Sequence, residues 1–280
     1  MKKNKKHEKF IDTVWKYYVK NKRDLPWRKT TDPYQIFVSE VMLQQTQVSR
    51  VLIKYPFFIN QFPTFKQLAQ ASITEVLKTW QGMGYNRRAL YLKKAASIII
   101  NQYNGIVPDD PVILDTLPGV GEATACSIVA FAYNKPTVFI ETNIRRVFIY
   151  HFFEDRKLFT LRGIDGKVDD REILSLVEQT LDHDNPREWY WAFMDYGSYL
   201  GKTGENPNKK SKHYTIQTQF EGSDRQIRGK ILKLLLEHRR TEQEMIEELK
   251  VKKKRVKSIL DSLEKEGFTL KKNDIYCLVN

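Results

Sequence analysis

Two carboxylates in this chain stand where their type and spacing could do acid–base work on a bond. Glu40 lies in Ser39-Glu40-Val41-Met42-Leu43-Gln44-Gln45-Thr46-Gln47, where one carboxylate and three glutamines interrupt an otherwise apolar run. Read as helix, the segment places Glu40 one turn before Gln44 and on the same face. The amides of Gln44, Gln45 and Gln47 are uncharged donors and acceptors, suited to base edges and to filling space inside an opened duplex. Taken alone, Glu40 also reads as a solvated helix residue. Glu141 lies in Phe139-Ile140-Glu141-Thr142-Asn143-Ile144-Arg145-Arg146-Val147, after an apolar extended run and directly before a helix. A helix N-terminus favours a carboxylate. Glu141 and Asn143 read either as a fixed charge with its neighbouring amide or as plain capping residues.

A third segment, Leu117-Pro118-Gly119-Val120-Gly121, sits between two helical stretches. Gly119 and Gly121 let the backbone turn sharply and approach another chain. The helix that begins near Glu122 then offers unsatisfied N–H groups and a positive dipole end to an anion such as a DNA phosphate. A plain turn between helices stays open on these residues alone.

The elements that must position these groups are mostly helices. An apolar stripe at Phe10, Ile11, Val14, Trp15, Tyr18 and Val19 predicts a helix over 8–20. A second helix is expected from Asp32-Pro33 to about Tyr55, with Asp32 as cap and Pro33 in the first turn. Further helices are expected at 64–70, 72–80, 86–103, 110–116, 122–133, 143–153, 168–182 and 186–200, with 135–140 extended. From Gly201 to Gly222 apolar periodicity disappears and Gly, Asn, Pro, Lys and Ser dominate, which reads as a surface linker. Beyond it, Ser223 and Asp224 cap a helix through His238, and Thr241 caps one at 242–249. A third helix runs over 252–266 and ends at Gly267, and alternation around Lys271–Asp274 suggests a hairpin. Three helices and a hairpin make a winged helix-turn-helix.

Lys plus Arg number 47 against 34 Asp plus Glu, a formal charge of +13, which favours a polyanionic partner. No apolar run reaches the roughly 18 residues of a membrane span. The basic start Met1–Lys6 is followed by no apolar stretch and reads as no secretory signal. Cys126 and Cys277 are the only cysteines and lie far apart, which fits a reducing cytoplasm.

Leu25-Pro26-Trp27, Ser39 through Gln47, Gly82-Met83-Gly84-Tyr85, Leu117 through Gly121 and Glu141 through Val147 occur in one order. With these blocks the chain resembles the MutY-type adenine DNA glycosylases over roughly residues 8–200. The hairpin motif is shared with the whole helix-hairpin-helix glycosylase superfamily, endonuclease III included. The resemblance implies an all-α, two-lobed helix-hairpin-helix core at 1–205, to which the sequence pattern adds a linker at 206–222 and a winged-helix-like domain at 223–280.

It also implies a mechanism, in which a mispaired base is flipped out of double-stranded DNA into a pocket. Gln44, Gln45 and Tyr85 would enter the gap, and Gly119 and Gly121 would meet the backbone. Glu40 matches the general acid that protonates the leaving base, and a desolvated pocket favours that protonated form. Glu141, with Asn143, matches the second carboxylate, which stabilises an oxocarbenium-like sugar or positions water. Here the sequence departs from the family, which has Asp at that position followed by Gly and Asn. The extra methylene moves the charge by about 1.5 Å, a displacement on the scale that costs on the order of a hundredfold in rate.

Three further departures matter. Bifunctional relatives carry a Schiff-base Lys at the position of Ala123, so a monofunctional enzyme leaving an abasic site is expected. The four-cysteine loop is missing, so no iron–sulfur cluster and no other cofactor is expected. The C-terminal 8-oxoguanine-sensing domain is replaced by the winged-helix-like segment. Its Lys253, Lys254 and Arg255, beside Lys250, Lys252 and Lys257, suit duplex binding or a solvated helix face. A monomer is expected. The leading substrate is adenine opposite guanine or 8-oxoguanine. Alternatives are a thymine or damaged-pyrimidine mismatch glycosylase and a non-catalytic mismatch-binding protein.

Overall fold

The computed structural model describes residues 5–155, 166–217 and 219–279. Met1–Asn4, part of the basic start considered above, lie outside them. In chain order the helices are α1 (Lys5–Asn21), α2 (Pro33–Leu43), α3 (Val48–Gln61), α4 (Phe65–Gln70), α5 (Ile73–Trp80), α6 (Arg87–Tyr103) and α7 (Pro111–Asp115). They continue as α8 (Glu122–Tyr133), α9 (Thr142–Phe152), α10 (Asp170–Thr180), α11 (Pro186–Leu200), α12 (Asp224–Glu237), α13 (Glu242–Leu249) and α14 (Lys253–Lys265). The strands are β1 (Arg240–Thr241), β2 (Thr269–Lys272) and β3 (Ile275–Leu278).

Local signals set most of these boundaries. Asp32 Oδ1 accepts from the Tyr34 N–H at 2.9 Å and Pro33 opens α2. Ser72 with Glu75, Asp169 with Glu172 and Thr241 with Glu244 form reciprocal capping boxes at the starts of α5, α10 and α13. Helices therefore stand close to where periodicity predicts them, with one correction. The helix expected from Pro33 to Tyr55 ends at Leu43 and restarts at Val48.

The chain divides into two compact units. The first comprises 1–36, 109–115 and 121–216. Its core packs Phe10 and Val14 of α1 against Phe148 of α9 and Trp189, Tyr190 and Phe193 of α11, all of them buried. Rings of Phe10 and Phe148 lie 5.0 Å apart, and those of Trp189 and Phe193 4.6 Å apart, distances typical of favourable aromatic pairs. Part of the stretch read as linker is tied down in this unit. Ser211 bridges to Val168, and the Lys210 ammonium reaches the Phe153 carbonyl at the C-terminal end of α9.

The second unit comprises 37–108, 116–120 and 217–280. Phe37, Phe58, Leu68, Val76, Trp80, Leu92 and Ile99 are buried within it. Its C-terminal part buries Ile231, Met245, Val256, Leu260, Leu263 and Phe268. There α12 to α14 accompany an antiparallel sheet of order β1-β3-β2, with Thr269 opposite Leu278 and Arg240 opposite Tyr276. Among the described residues no helix is long and apolar enough to cross a membrane.

Candidate functional site

In the first unit, Glu141 is the N-cap of α9, in extended backbone. Its Oε1 accepts from the N–H groups of Asn143 at 2.5 Å and Ile144 at 2.9 Å, while Asn143 Nδ2 reaches Oε2 at 3.3 Å. The carboxylate curls back over its own helix start, so capping and charge fixing are the same geometry. Burial pushes the Glu141 carboxyl above its ordinary value, against the two backbone donors and the Arg146 and Arg145 charges, which pull the other way. Arg145 is itself neutralised by Asp170, through bonds of 2.8 and 2.6 Å.

Arg146 organises the surroundings. Its Nη1 donates to Asn143 Oδ1 at 3.0 Å and to the Gly197 carbonyl at 2.6 Å, and its Nε donates to Asn206 Oδ1 at 3.1 Å. Burial lowers the Arg146 pKa, and the Glu141 charge acts against that shift. Gly197 is required by space, because a Cβ there would sit 2.5 Å from the Asn143 carbonyl oxygen. Asn208 is buried and donates to the Thr142 carbonyl at 3.0 Å. The 206–208 segment thus holds the start of α9. Sequence reading missed Arg146, Asn206 and Asn208, whose only signal was proximity to Asn143 or membership of a polar stretch.

In the second unit, Glu40 is half-buried on α2, between buried Ser39 and Val41. The helix stops three residues later because its last carbonyls find a partner outside the helix. Arg88 Nη1 donates to the carbonyls of Val41 and Met42 at 2.9 Å each and of Gln44 at 2.6 Å. Its Nη2 reaches Thr46 Oγ1 at 2.8 Å and the Met83 and Gly84 carbonyls at 3.3 and 3.2 Å. Only 8% exposed, Arg88 has its pKa pushed down to about 10 by burial. Gln45 turns into the left-handed region at φ 52°. Gln44 lies just past the last residue of α2. Its Nε2 donates to the Gly119 carbonyl at 3.0 Å.

Gly119 needs to be glycine twice over, with φ +78° and a Cβ position 2.8 Å from Tyr91 Cβ. Gly121, the N-cap of α8, provides no capping side chain, and a Cβ there would meet open space. Tyr85 follows Gly84 at φ 45°. Its hydroxyl accepts from Arg225 Nη1 at 2.8 Å and from Gln217 Nε2. The guanidiniums of Arg88 and Arg225 lie 5.5 and 5.8 Å from its ring centre.

Lys253 and Lys254 are exposed at the start of α14. Arg255 is engaged within the protein, with Nε on Asp224 Oδ1 at 2.5 Å and Nη2 on the Gly222 carbonyl at 2.7 Å. Cys126 is buried in α8, its thiol pushed up to about 11 by burial. Among the described residues no group of three or more His, Cys, Asp or Glu is placed to hold a metal.

The family model for HhH-GPD superfamily base excision DNA repair proteins matches residues 38–159. An adenine DNA glycosylase of Mycobacterium tuberculosis is 33% identical over 251 residues, covering 78% of this chain and 76% of the relative. A thymine/uracil-DNA glycosylase of Methanothermobacter thermautotrophicus is 33% identical over 150 residues, covering 53% and 68%. The solved structure of a thermostable thymine-DNA glycosylase is 26% identical, with TM-score 0.63 over 75% of this chain and 94% of that chain.

Proposed function

We infer the reaction from one premise: the chain belongs to the adenine DNA glycosylase family, within the HhH-GPD superfamily, and is a base-excision DNA N-glycosylase. The substrate is double-stranded DNA carrying adenine opposite guanine or 8-oxoguanine. The base is flipped out of the stack, with Gln44, Gln45 and Tyr85 entering the gap it leaves. Glu40 donates a proton to the purine, the N-glycosidic bond breaks, and positive charge develops on the sugar. Glu141 supplies the opposing negative charge, and water completes hydrolysis to an abasic site.

The observation that carries this reading is the seating of Glu141. Two backbone N–H groups and the Asn143 amide hold its carboxylate in one orientation at a helix N-terminus. A charge fixed before the reaction needs no reorganisation as the sugar becomes positive. Arg146 and the 206–208 segment hold Asn143 and Thr142 in turn.

Ala123 offers no amine for a Schiff base, so the enzyme is monofunctional. Two cysteines provide no four-thiolate ligand set, and the enzyme works without an iron–sulfur cluster. It acts as a monomer in the cytoplasm. The C-terminal segment is a winged helix whose exposed Lys253 and Lys254 meet the DNA backbone.

The test is a panel of duplexes, each with one mispair: adenine opposite guanine or 8-oxoguanine, and thymine opposite guanine. Adenine release lost in Glu40→Gln supports the reading, and release that survives it removes Glu40 as the acid. Strand breaks without alkali or heat would overturn monofunctional action. A second reading, release of thymine, is favoured by the thymine/uracil-DNA glycosylase relative and the thymine-DNA glycosylase structure. Release from the thymine duplex alone would replace the first reading with it.

A further inference from the structure

Tyr85 is held by two parts of the second unit that lie far apart in sequence. On one side Arg88 grips the Met83 and Gly84 carbonyls just before it and places its guanidinium 5.5 Å from the ring centre. On the other, Arg225 in the first turn of α12 donates to the phenol oxygen at 2.8 Å, with its guanidinium 5.8 Å from the same ring. Gln217 supplies a second donor to that oxygen. The backbone of Tyr85 is left-handed, a strained conformation for a residue with a side chain, so its surroundings must hold it there.

The attachment of α12 at this point is not incidental. Two residues beyond Tyr85, Arg87 makes a two-pronged pair with Glu266, at 2.9 and 2.7 Å, and Arg228 of α12 makes another with the same carboxylate, at 2.9 and 2.6 Å. Ser262 donates a further bond of 2.9 Å. The start of α6, the first turns of α12 and the end of α14 are therefore fastened at one carboxylate, next to the tyrosine.

We propose that Arg225 is a positioning residue for Tyr85, through which the C-terminal segment completes the loop that enters the duplex. The proposal rests on the reading of Tyr85 as a duplex-entering residue. A phenol hydrogen-bonded to a guanidinium that also faces its ring is restricted in both torsions, so it meets the base stack already oriented. The C-terminal segment then contributes to mismatch preference through Tyr85, in addition to any attraction of its lysines for phosphate.

The experiment is a double-mutant cycle on the full chain with Arg225→Ala, Tyr85→Phe and the double variant, alongside Arg225→Lys and Tyr85→Ala. Two readouts are taken. One is affinity for an adenine–8-oxoguanine duplex relative to a matched duplex across a salt series; the other is the single-turnover rate. Thermal melting checks that each variant folds. Arg225→Ala and Tyr85→Phe should each lower the mismatch preference roughly 3- to 10-fold, with the double variant no worse than the poorer single one. Arg225→Lys, which keeps a donor, should recover most of it. Additive losses would overturn the proposal. So would an equal loss on both duplexes with a shallower salt slope, the mark of a direct bond to phosphate. If Tyr85→Ala leaves mismatch preference intact, the reading of Tyr85 itself fails, and the proposal falls with it for that separate reason.

Discussion

Gln44 and Gly119, 75 residues apart, are joined by a hydrogen bond of 3.0 Å from the glutamine amide to the glycine carbonyl. The bond links the segment following Glu40 to the hairpin, so a change at the hairpin reaches the segment proposed to enter the duplex. Gly119→Ala should cost about 2–4 kcal/mol, since it adds left-handed strain and a methyl group against Tyr91. Gly121→Ala, at a negative φ facing open space, should cost under about 1 kcal/mol. Urea denaturation of both variants checks the contrast, and equal losses would refute the account of Gly119.

Glu141→Gln keeps the shape and removes the charge. The single-turnover rate should fall on the order of 10²–10³-fold. In the native enzyme the acid side of the rate profile should lie above the ordinary carboxylate range, because protonating the raised group removes the needed charge. The effect on stability has a definite sign. Between the unfolded and folded pKa values the native state holds the extra proton, so stability declines as pH rises through that window. Glu141→Gln should flatten that decline, which denaturation measured at several pH values will reveal.

Asp195, with its side chain 1% exposed, accepts from Arg28 through bonds of 2.9 and 2.8 Å and from Arg23 through its Nε at 2.5 Å and its backbone N–H at 3.0 Å. Burial alone would raise its pKa, but the bond and charge of Arg28, with those of Arg23, hold it below the ordinary range. Its contribution to stability is therefore present above the unfolded carboxylate pKa and lost as pH falls through the folded one. Asp195→Asn should cost about 3 kcal/mol near neutral pH by stranding the buried Arg28, and little in strong acid. A pH-independent cost would contradict this.

Glu266 is held at about 2: burial opposes ionisation, but its bonds to Arg87 and Arg228 outweigh that. Glu266→Gln should speed amide exchange in α12 and at the start of α6 at neutral pH, with core helices such as α9 unaffected. Uniform protection throughout would show that the fastening is dispensable.

Lys253→Glu with Lys254→Glu should make the salt dependence of DNA affinity shallower, by about 1 in log–log slope for each phosphate that no longer meets a lysine. Arg255→Ala should instead loosen the start of α12, because that guanidinium is committed to Asp224 and Gly222. An unchanged slope in the double lysine variant would make those residues a solvated face.

What the sequence determined by itself was local. Capping residues, apolar periodicity and glycine placement are short-range chemistry, and they located most helices, the hairpin and the Glu141 cap without any knowledge of packing. The five ordered motifs carried the family. What only the tertiary structure decided were features made by partners distant in sequence. The break after Leu43 has no breaker residue; it exists because Arg88 arrives from α6 to take the carbonyls of Val41, Met42 and Gln44. Periodicity ran straight through it. Arg146, Asn206 and Asn208 gain their role only when the 201–212 stretch folds back on α9, and Arg225 only when α12 comes beside Tyr85. A buried guanidinium satisfied by carbonyls leaves no pattern in the residues it serves, since every residue carries a carbonyl.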